Sequence, residues 1–215
     1  MARTRSPKFE DIQQGILRKA ARLFATRGYE RTSIGDLVRA CDLSRGAIYH
    51  YFESKEAILF AMMDSLVRGL LETLTEAAAA EGEPVERLGN IIVAFVEYNA
   101  RSPDEQVILL NDIGALSRAE QKQIRSIERQ VVDLVADAIA AADTRGLVTP
   151  RTRKVYTMML FGMINYTYTW YDAKGPVKPR DLAHMAADLF FNGLQPGGRT
   201  AAKPPPLRVA KAARS

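Results

Sequence analysis

The sequence contains little of what disulfides, zinc sites and catalytic triads need. Its 215 residues include one cysteine, Cys41, and two histidines, His50 and His184. A single cysteine excludes an intrachain disulfide and a zinc site built from several thiolates. No Gly-x-Ser-x-Gly, P-loop or His-Glu-x-x-His motif is present. We therefore expect no enzymatic activity and no bound metal or cofactor.

Long apolar runs are missing as well. No apolar segment follows the basic N-terminus in the way that a signal peptide requires. The longest stretch without charge, Val155–Tyr171, has 17 residues and includes Gly162 and Asn165. A membrane span needs about 20 mostly apolar residues. We expect this stretch to be a buried core helix, and the protein to be cytoplasmic without contact to a membrane.

Negative charge is scarce at the two ends of the chain. Residues 1–53 carry 10 basic and 6 acidic side chains, residues 54–194 carry 15 and 19, and residues 195–215 carry 5 and 0. The net charge of +5 is thus the sum of two basic ends and a slightly acidic middle. Such asymmetry indicates a polyanionic partner, most simply nucleic acid.

Helical periodicity dominates the sequence, and no segment alternates with the period of two that is typical of a strand. We predict an all-α fold of about nine helices, with a three-helix head (residues 1–53) before a larger helical bundle (54–194). Residues 195–215 contain three consecutive prolines and no aromatic residue. This composition is typical of a disordered basic tail.

Two short predicted helices in the head, 34–40 and 45–51, are separated by a turn of three residues, Cys41 to Leu43. Each follows a serine, Ser33 or Ser44, that can cap its first turn. This spacing is that of a helix-turn-helix, in which the second helix enters the major groove of DNA.

The outward residues of the second helix suit DNA. Arg45 can reach a guanine edge or a phosphate, and Ala47 can meet a thymine methyl group. Gly46 lets the backbone approach the groove, while Tyr49 and His50 can donate hydrogen bonds to phosphates. Taken singly, each of these residues also fits an ordinary protein surface, and many helical proteins contain short helix pairs.

The motif lies in a longer string, roughly residues 10–60, that resembles the TetR family of transcriptional repressors. The matching segments are Ala25–Tyr29, Thr32–Ile34, Leu43–Phe52 and Ser54–Leu59. The resemblance implies that Thr32 caps the first helix of the motif and touches phosphate, and that Lys55 holds a phosphate. The complete set of expected DNA-binding residues is Thr32, Ser33, Ser44, Arg45, Gly46, Ala47, Tyr49, His50 and Lys55.

Two positions depart from the usual family pattern. Gly35 stands where alanine is commoner, and we expect it to weaken its helix. Ala40-Cys41-Asp42 stands where Ala-Gly-Val is commoner, and we expect Asp42 to remove an apolar contact from the turn.

The resemblance further implies that the C-terminal region encloses a small-molecule effector and forms a homodimer through the last two helices. These two predicted helices, Thr152–Tyr171 and Arg180–Leu194, are apolar on more than one face, as expected of helices that also pack against a partner chain. Segment 162–176 is similar to the penultimate helix of TetR regulators of fatty-acid, steroid or aromatic-acid catabolism. Several of those respond to acyl-CoA thioesters.

Methionine and aromatic side chains suit an adaptable apolar pocket, although each of them can instead fill the core. The candidate ligand-binding residues are Phe95, Met158, Met159, Met163, Tyr166 and Trp170. A coenzyme A ligand also needs cations near its phosphates, for which the candidates are Arg101, Arg118, Arg125 and Arg129.

We therefore expect a dimeric, sequence-specific DNA-binding repressor that a small apolar or acyl-CoA-type effector releases from its double-stranded operator. The alternative is an architectural protein that binds DNA of any sequence through its basic ends and has no ligand switch. The identities of the effector, the operator and the target genes do not follow from the sequence.

Overall fold

The computed structural model describes residues 7–194, within which all regular secondary structure is helical. The α-helices are α1 (Pro7–Arg27), α2 (Ile34–Cys41), α3 (Arg45–Tyr51), α4 (Lys55–Ala78), α5 (Pro84–Arg101), α6 (Pro103–Asp112), α7 (Arg118–Ala142), α8 (Arg153–Asn165) and α9 (Pro179–Leu194). Short 3₁₀ turns, Ile113–Ala115 and Tyr166–Thr169, follow α6 and α8. The predicted all-α fold of about nine helices is confirmed. The predicted basic tail, 195–215, lies outside the described residues.

Serine side chains set the starts of four helices. In each, the Oγ accepts the backbone N–H of the residue three positions later, which satisfies one donor that the first helical turn leaves free. The four are Ser33 before α2, Ser44 before α3, Ser54 before α4 and Ser117 before α7. None of the helices in the described part of the chain is long and apolar enough to cross a membrane.

The turn between α2 and α3 depends on Asp42, which ends α2 in the left-handed conformation with a φ of 55°. Its backbone N–H donates to the carbonyl of Val38, and its side chain is exposed. The apolar contact in the turn comes from Leu43, which packs against the buried residues of the head. The expectation that Asp42 removes this contact was therefore wrong. Asp42 instead occupies the position after a helix where glycine is favoured.

Two apolar clusters form the core. The first, which we call the head core, joins the inner faces of α1–α3 to the first half of α4, to α6 and to the start of α7. In it Ile48 of α3 is fully buried together with Phe24 and Leu37, as predicted. The second, the body core, joins the second half of α4 to α5, α7, α8 and α9. The head therefore shares its core with three helices of the bundle.

The α-helical part of the uncharged stretch is shorter than predicted. It ends at Asn165, and a 3₁₀ turn continues to Thr169, whereas the prediction placed the helix end near Tyr171. Thr167 and Thr169 donate their hydroxyls to the carbonyls three residues earlier, at 2.7 and 2.8 Å. Threonine hydroxyls that bond to nearby backbone compete with helical hydrogen bonding, and β-branched residues already fit helices less well.

Replacing each of two glycines of the head by alanine should change the free energy of unfolding in opposite directions. Gly35 lies in α2 with room for a Cβ, whose nearest neighbour would be Ser33 Oγ at 3.5 Å, so Gly35→Ala should raise the free energy of unfolding by about 0.5–1 kcal/mol. Gly28 has a φ of +88°, so Gly28→Ala should lower it by about 1–2 kcal/mol. Urea unfolding measures both changes. Changes of the same sign would contradict this account of the two backbones.

Candidate DNA interface and ligand cavity

Helix α3 has a buried face and an exposed face. Ile48 fixes it to the head core, while Ser44, Arg45, Gly46, Tyr49 and His50 are exposed and Ala47 is half-buried. The Ser44 Oγ accepts the backbone N–H of Ala47 at 3.0 Å. The exposed residues of α3 therefore lie on a capped helix whose orientation is fixed by the packing of Ile48 in the head core. This is the arrangement that a reading helix requires.

The ring of His50 lies at the corner where α3 meets α1. It packs edge-on against Phe9, with ring centroids 5.8 Å apart, and against Tyr51 at 5.3 Å. Phe9 in turn lies 4.6 Å from the ring of Tyr51. These contacts hold the C-terminal end of α3 on α1 while one edge of the imidazole remains exposed.

The first helix of the motif begins differently from the family-based expectation. Ser33 is the residue that caps α2, and it forms a capping box with Asp36. Thr32 is 1% exposed, and its hydroxyl donates to the carbonyl of Gly28 at 2.9 Å. The expectation that Thr32 caps this helix was wrong, because its side chain points back into the α1–α2 loop. Ser33 is the exposed member of the pair.

Asp36 forms ion pairs with two arginines of the head. Its carboxylate pairs with Arg39 at 2.5 Å and Arg27 at 3.4 Å. The hydrogen bonds from the side chain and backbone of Ser33, and then the charge of Arg39, lower the pKa of Asp36 to about 2. Among the described residues Arg45 forms no salt bridge within 4 Å, so its guanidinium is not already engaged by a carboxylate of the chain.

Lys55, the first residue of α4, contacts the loop that follows α1. Its Nζ donates to the carbonyl of Tyr29 at 3.0 Å and lies 4.1 Å from the centroid of the Tyr29 ring. The Tyr29 hydroxyl donates to Glu56 Oε1 at 3.2 Å. Burial and the nearby Glu56 carboxylate both raise the pKa of Tyr29. Three residues thus fasten the start of α4 to the head, and Lys55 is only half-buried in this arrangement.

A cavity of about 280 Å³ lies among α4, α5, α6, α7 and α8. Its wall is mostly apolar, with a few amide and carboxyl groups. The lining residues are Leu66, Val67, Leu70, Phe95, Gln106, Leu109, Leu110, Glu128, Val131, Val132, Met158, Phe161 and Asn165. A concave apolar cavity with a few polar groups is the usual form of a small-molecule site.

Of the six candidate ligand-binding residues, Phe95 and Met158 line this cavity. Met163 packs against the body core. The side chains of Met159, Tyr166 and Trp170 are more than 60% exposed on the outside of the bundle. The helical turn separates these residues: positions 158 and 161 reach the cavity wall, whereas position 159 does not. Met158 lines the cavity and is also 40% exposed.

The sequence reading missed the polar members of the cavity wall, Gln106, Glu128 and Asn165. A usable signal was present for two of them. Asn165 interrupts the uncharged stretch, and Gln106 lies on the face of α6 that also carries Leu109. Nothing in the spacing of Glu128 separates it from the other charged residues of α7. Burial raises the pKa of the Glu128 carboxyl, and the charge of Arg125 opposes this shift.

Large exposed apolar side chains are concentrated in the last two helices and the segment between them. Of ten such side chains in the described part of the chain, eight lie between residues 155 and 189. Val155, Met159 and Tyr166 recur at helical spacing with the exposed Gly162 between them, and Met185 and Leu189 are one turn apart on α9. Exposed apolar side chains concentrated in this way are typical of a protein–protein interface.

Two family models match the chain. "Bacterial regulatory proteins, tetR family" matches residues 16–62, and "Tetracyclin repressor-like, C-terminal domain" matches residues 81–194. Among curated proteins, the transcriptional repressor KstR2 of Mycobacterium tuberculosis is 24% identical over 192 residues, which cover 85% of this chain and 92% of that protein. These matches describe transcriptional regulators, and the expectation that the chain is not an enzyme is confirmed by them.

Two solved structures are similar over most of their length. A TetR-family transcriptional regulator from Bordetella parapertussis is 39% identical with a TM-score of 0.80, over 85% of this chain and 95% of that one. The regulator AibR, in complex with isovaleryl coenzyme A and operator DNA, is 27% identical with a TM-score of 0.72, over 83% and 97%.

The burial of the Glu128 carboxyl should make the free energy of unfolding depend on pH. Because the fold raises the pKa of this carboxyl, its ionisation destabilises the folded chain above the folded-state pKa and has no such effect below the unfolded-state pKa. Glu128→Gln should therefore increase stability at pH 8 by more than at pH 4. Exposed Glu76→Gln is the control, and an equal effect of both variants at the two pH values would contradict this prediction.

Proposed function

Since the chain belongs to the TetR family of bacterial transcriptional regulators, we propose that it is a dimeric repressor that a small apolar or acyl-CoA-type effector releases from its operator. The observation that carries this proposal is the position of α4. This helix begins at the head, where Lys55 holds it, and three of its residues line the cavity. One rigid element therefore connects a DNA-reading surface to a ligand site.

DNA recognition is assigned to the exposed face of α3. Arg45 has no carboxylate partner among residues 7–194. It stands at the N-terminal end of α3, the end that approaches base edges in helix-turn-helix proteins. Ser33 and Ser44 stand at helix starts where backbone N–H groups favour a phosphate. Gly46, Ala47, Tyr49 and His50 complete the contact surface. Lys55 would reach a phosphate by moving its ammonium away from the Tyr29 carbonyl.

The proposed dimer forms through α8 and α9. One short reading helix contacts few base pairs, and two-fold symmetry doubles these contacts at half-sites about 34 Å apart. The exposed apolar face from Val155 to Leu189 supplies a surface of the required kind on these two helices. Met159, Tyr166 and Trp170, which lie away from the cavity, are thereby assigned to this face.

Release of DNA is assigned to a change in how α4 and α6 pack. Both helices line the cavity, and both pack against α1 of the head. A ligand that fits better when these helices separate would stabilise a second arrangement of the head. Its effect on DNA binding cannot exceed its difference in affinity for the two arrangements. Similarity to AibR, solved with isovaleryl coenzyme A and operator DNA, supports the class of effector.

Replacement of Arg45 by alanine should weaken binding to a duplex that the wild-type protein selects from a random library. We expect a loss of about 1–3 kcal/mol and a relaxed preference at one base pair per half-site, because a bidentate contact to guanine is removed. Competition binding on duplexes with single base changes measures both effects.

The control for this experiment is Arg151→Ala, which removes the same charge from an exposed position before α8. It should leave operator affinity unchanged. A wild-type protein that binds selected and random duplexes equally at 150 mM salt would overturn the repressor proposal in favour of an architectural DNA-binding protein.

A charge placed on the apolar face should separate the proposed dimer. Leu189 on α9 is 71% exposed, so Leu189→Glu should be tolerated by the single chain but should bury an unpaired carboxylate at an interface. Analytical ultracentrifugation should show a dimer for the wild type and mostly monomer for the variant. Ala119→Glu, an exposed position at the other end of the bundle, should remain dimeric. A monomeric wild type would contradict the proposal.

A further inference from the structure

Three carboxamide side chains meet where α5, α6 and α8 come together. Asn99 Nδ2 donates to Asn165 Oδ1 at 3.1 Å, and Gln106 Nε2 donates to the same oxygen at 3.4 Å. Asn99 is 7% exposed and Gln106 is 5% exposed. We call these three residues the amide cluster.

The hydrogen-bonding groups of the amide cluster are not all paired with one another. Two donors share one oxygen, while the buried Oδ1 of Asn99 has no hydrogen-bond partner in the part of the chain that the structure describes. An orphaned buried carbonyl oxygen costs free energy, and a packed apolar side chain in its place would avoid that cost. A buried acceptor of this kind is therefore a candidate partner for an N–H or O–H group of a ligand.

The amide cluster forms part of the wall of two cavities. Gln106 and Asn165 line the apolar cavity described above, and Gln106 and Asn99 line a second cavity of about 360 Å³. This second cavity, which we call the polar cavity because charged side chains are among its lining residues, lies between the end of α5, the start of α6 and the segment that follows α8. Gln106 is common to both walls, so the amide cluster borders both cavities.

The polar cavity combines cationic side chains, which suit an anion, with aromatic rings, on which a flat group can stack. Arg101 and Lys174 supply two cations, and Tyr168 and Tyr171 supply half-buried aromatic rings. Its one lining carboxylate, Asp172, accepts the backbone N–H of Lys174 at 2.9 Å. Arg101 donates from Nε to the backbone carbonyl of Glu97 at 3.2 Å and makes a long salt bridge to the Glu97 carboxylate at 3.8 Å. Lys174 forms no salt bridge among the described residues.

We propose that the two cavities hold the two halves of one acyl-CoA thioester, with the amide cluster at the joint. The acyl chain occupies the apolar cavity, an amide N–H of the pantetheine arm donates to Asn99 Oδ1, and the phosphorylated nucleotide lies against Arg101, Lys174 and the two tyrosines. This inference rests on the proposed function, because it assigns the effector of that regulator to specific residues.

The alternatives account for fewer of these features. A simple apolar ligand would leave the orphaned carbonyl and both cations unused. A free fatty acid would use one cation but would bring no N–H group to Asn99. Of the four arginines that the sequence offered for coenzyme A phosphates, Arg101 lines the polar cavity, whereas Arg118, Arg125 and Arg129 are exposed on α7.

Three probes of increasing completeness test the assignment by calorimetric titration: octanoate, the N-acetylcysteamine thioester of octanoate, and octanoyl-CoA. The second probe has the thioester and one amide N–H but lacks phosphates and adenine. We expect the wild-type protein to bind octanoyl-CoA about tenfold or more tightly than the truncated thioester, since charge-assisted hydrogen bonds are added.

The double variant Arg101→Ala/Lys174→Ala should lose this advantage, while its affinity for the truncated thioester should stay within about twofold of the wild type. The matched control is Arg118→Ala/Lys122→Ala, which removes the same charge from exposed positions on α7 and should bind all probes as the wild type does. Asn99→Leu should weaken both thioesters but not octanoate, because only the thioesters carry an N–H group.

Equal affinity of the wild type for the two thioesters, or equal losses in the α7 control, would overturn this inference. The double variant decides the matter even when Asn99→Leu fails to fold, since Arg101 and Lys174 are exposed. A wild type that binds none of the three probes, yet is released from its operator by another apolar compound, overturns this inference alone. Failure of every compound in an apolar panel to release operator would overturn the proposed function as well.

Discussion

Burial of one continuous helix in two apolar clusters is the constraint on which the rest of the structure depends. The first half of α4 completes the head core with Ile58, Leu59 and Met62, and its second half enters the body core with Leu70 and Leu74. Side chains packed at crystal-like density transmit displacement because they have little space in which to yield. Such packing would allow a displacement of the cavity wall to be transmitted along α4.

The two ends of this connection are fixed by different forces. At the head, α4 is held by polar contacts of Lys55 and Glu56 with Tyr29, which are part-buried and directional. At the cavity, Leu66, Val67 and Leu70 of α4 face space that apolar groups can fill. Dispersion and hydrophobic contacts at one end can thus act against a small number of hydrogen bonds at the other. This division suits a regulator whose ligand alters the position of its DNA-reading helix.

Several of the few polar groups inside the bundle lie where function is proposed. Glu128, Gln106 and Asn165 are on the cavity wall, and the adjacent Asn99 has a carbonyl oxygen without a hydrogen-bond partner among the described residues. Well-packed apolar residues at these positions would be less costly for stability. Departures from local optimisation are expected at sites kept for binding, and the amide cluster is such a departure.

Much of the fold followed from local sequence signals. The serine caps, the periodicity and the three-residue turn predicted α2, α3 and the start of α4 closely, because hydrogen bonds within a few residues decide where a helix begins. The same signals placed the end of α8 too far along the chain, since a Thr- and Tyr-rich end has no glycine or proline to mark it. They also predicted that Asp42 removes an apolar contact from the turn, whereas Leu43 supplies that contact.

The sequence by itself determined the helical class, the helix-turn-helix and the exposed set on α3, because short-range spacing settles which residues of one helix share a face. Only the tertiary structure decided which of the methionines and aromatics face a cavity. Phe95 and Met158 line the cavity, whereas Met159, Tyr166 and Trp170 lie outside it, although all five are methionine or aromatic residues in the sequence. It alone brought Asn99, Gln106 and Asn165 together across as many as 66 residues. Contacts between distant helices depend on how whole faces pack, and no local pattern encodes that choice.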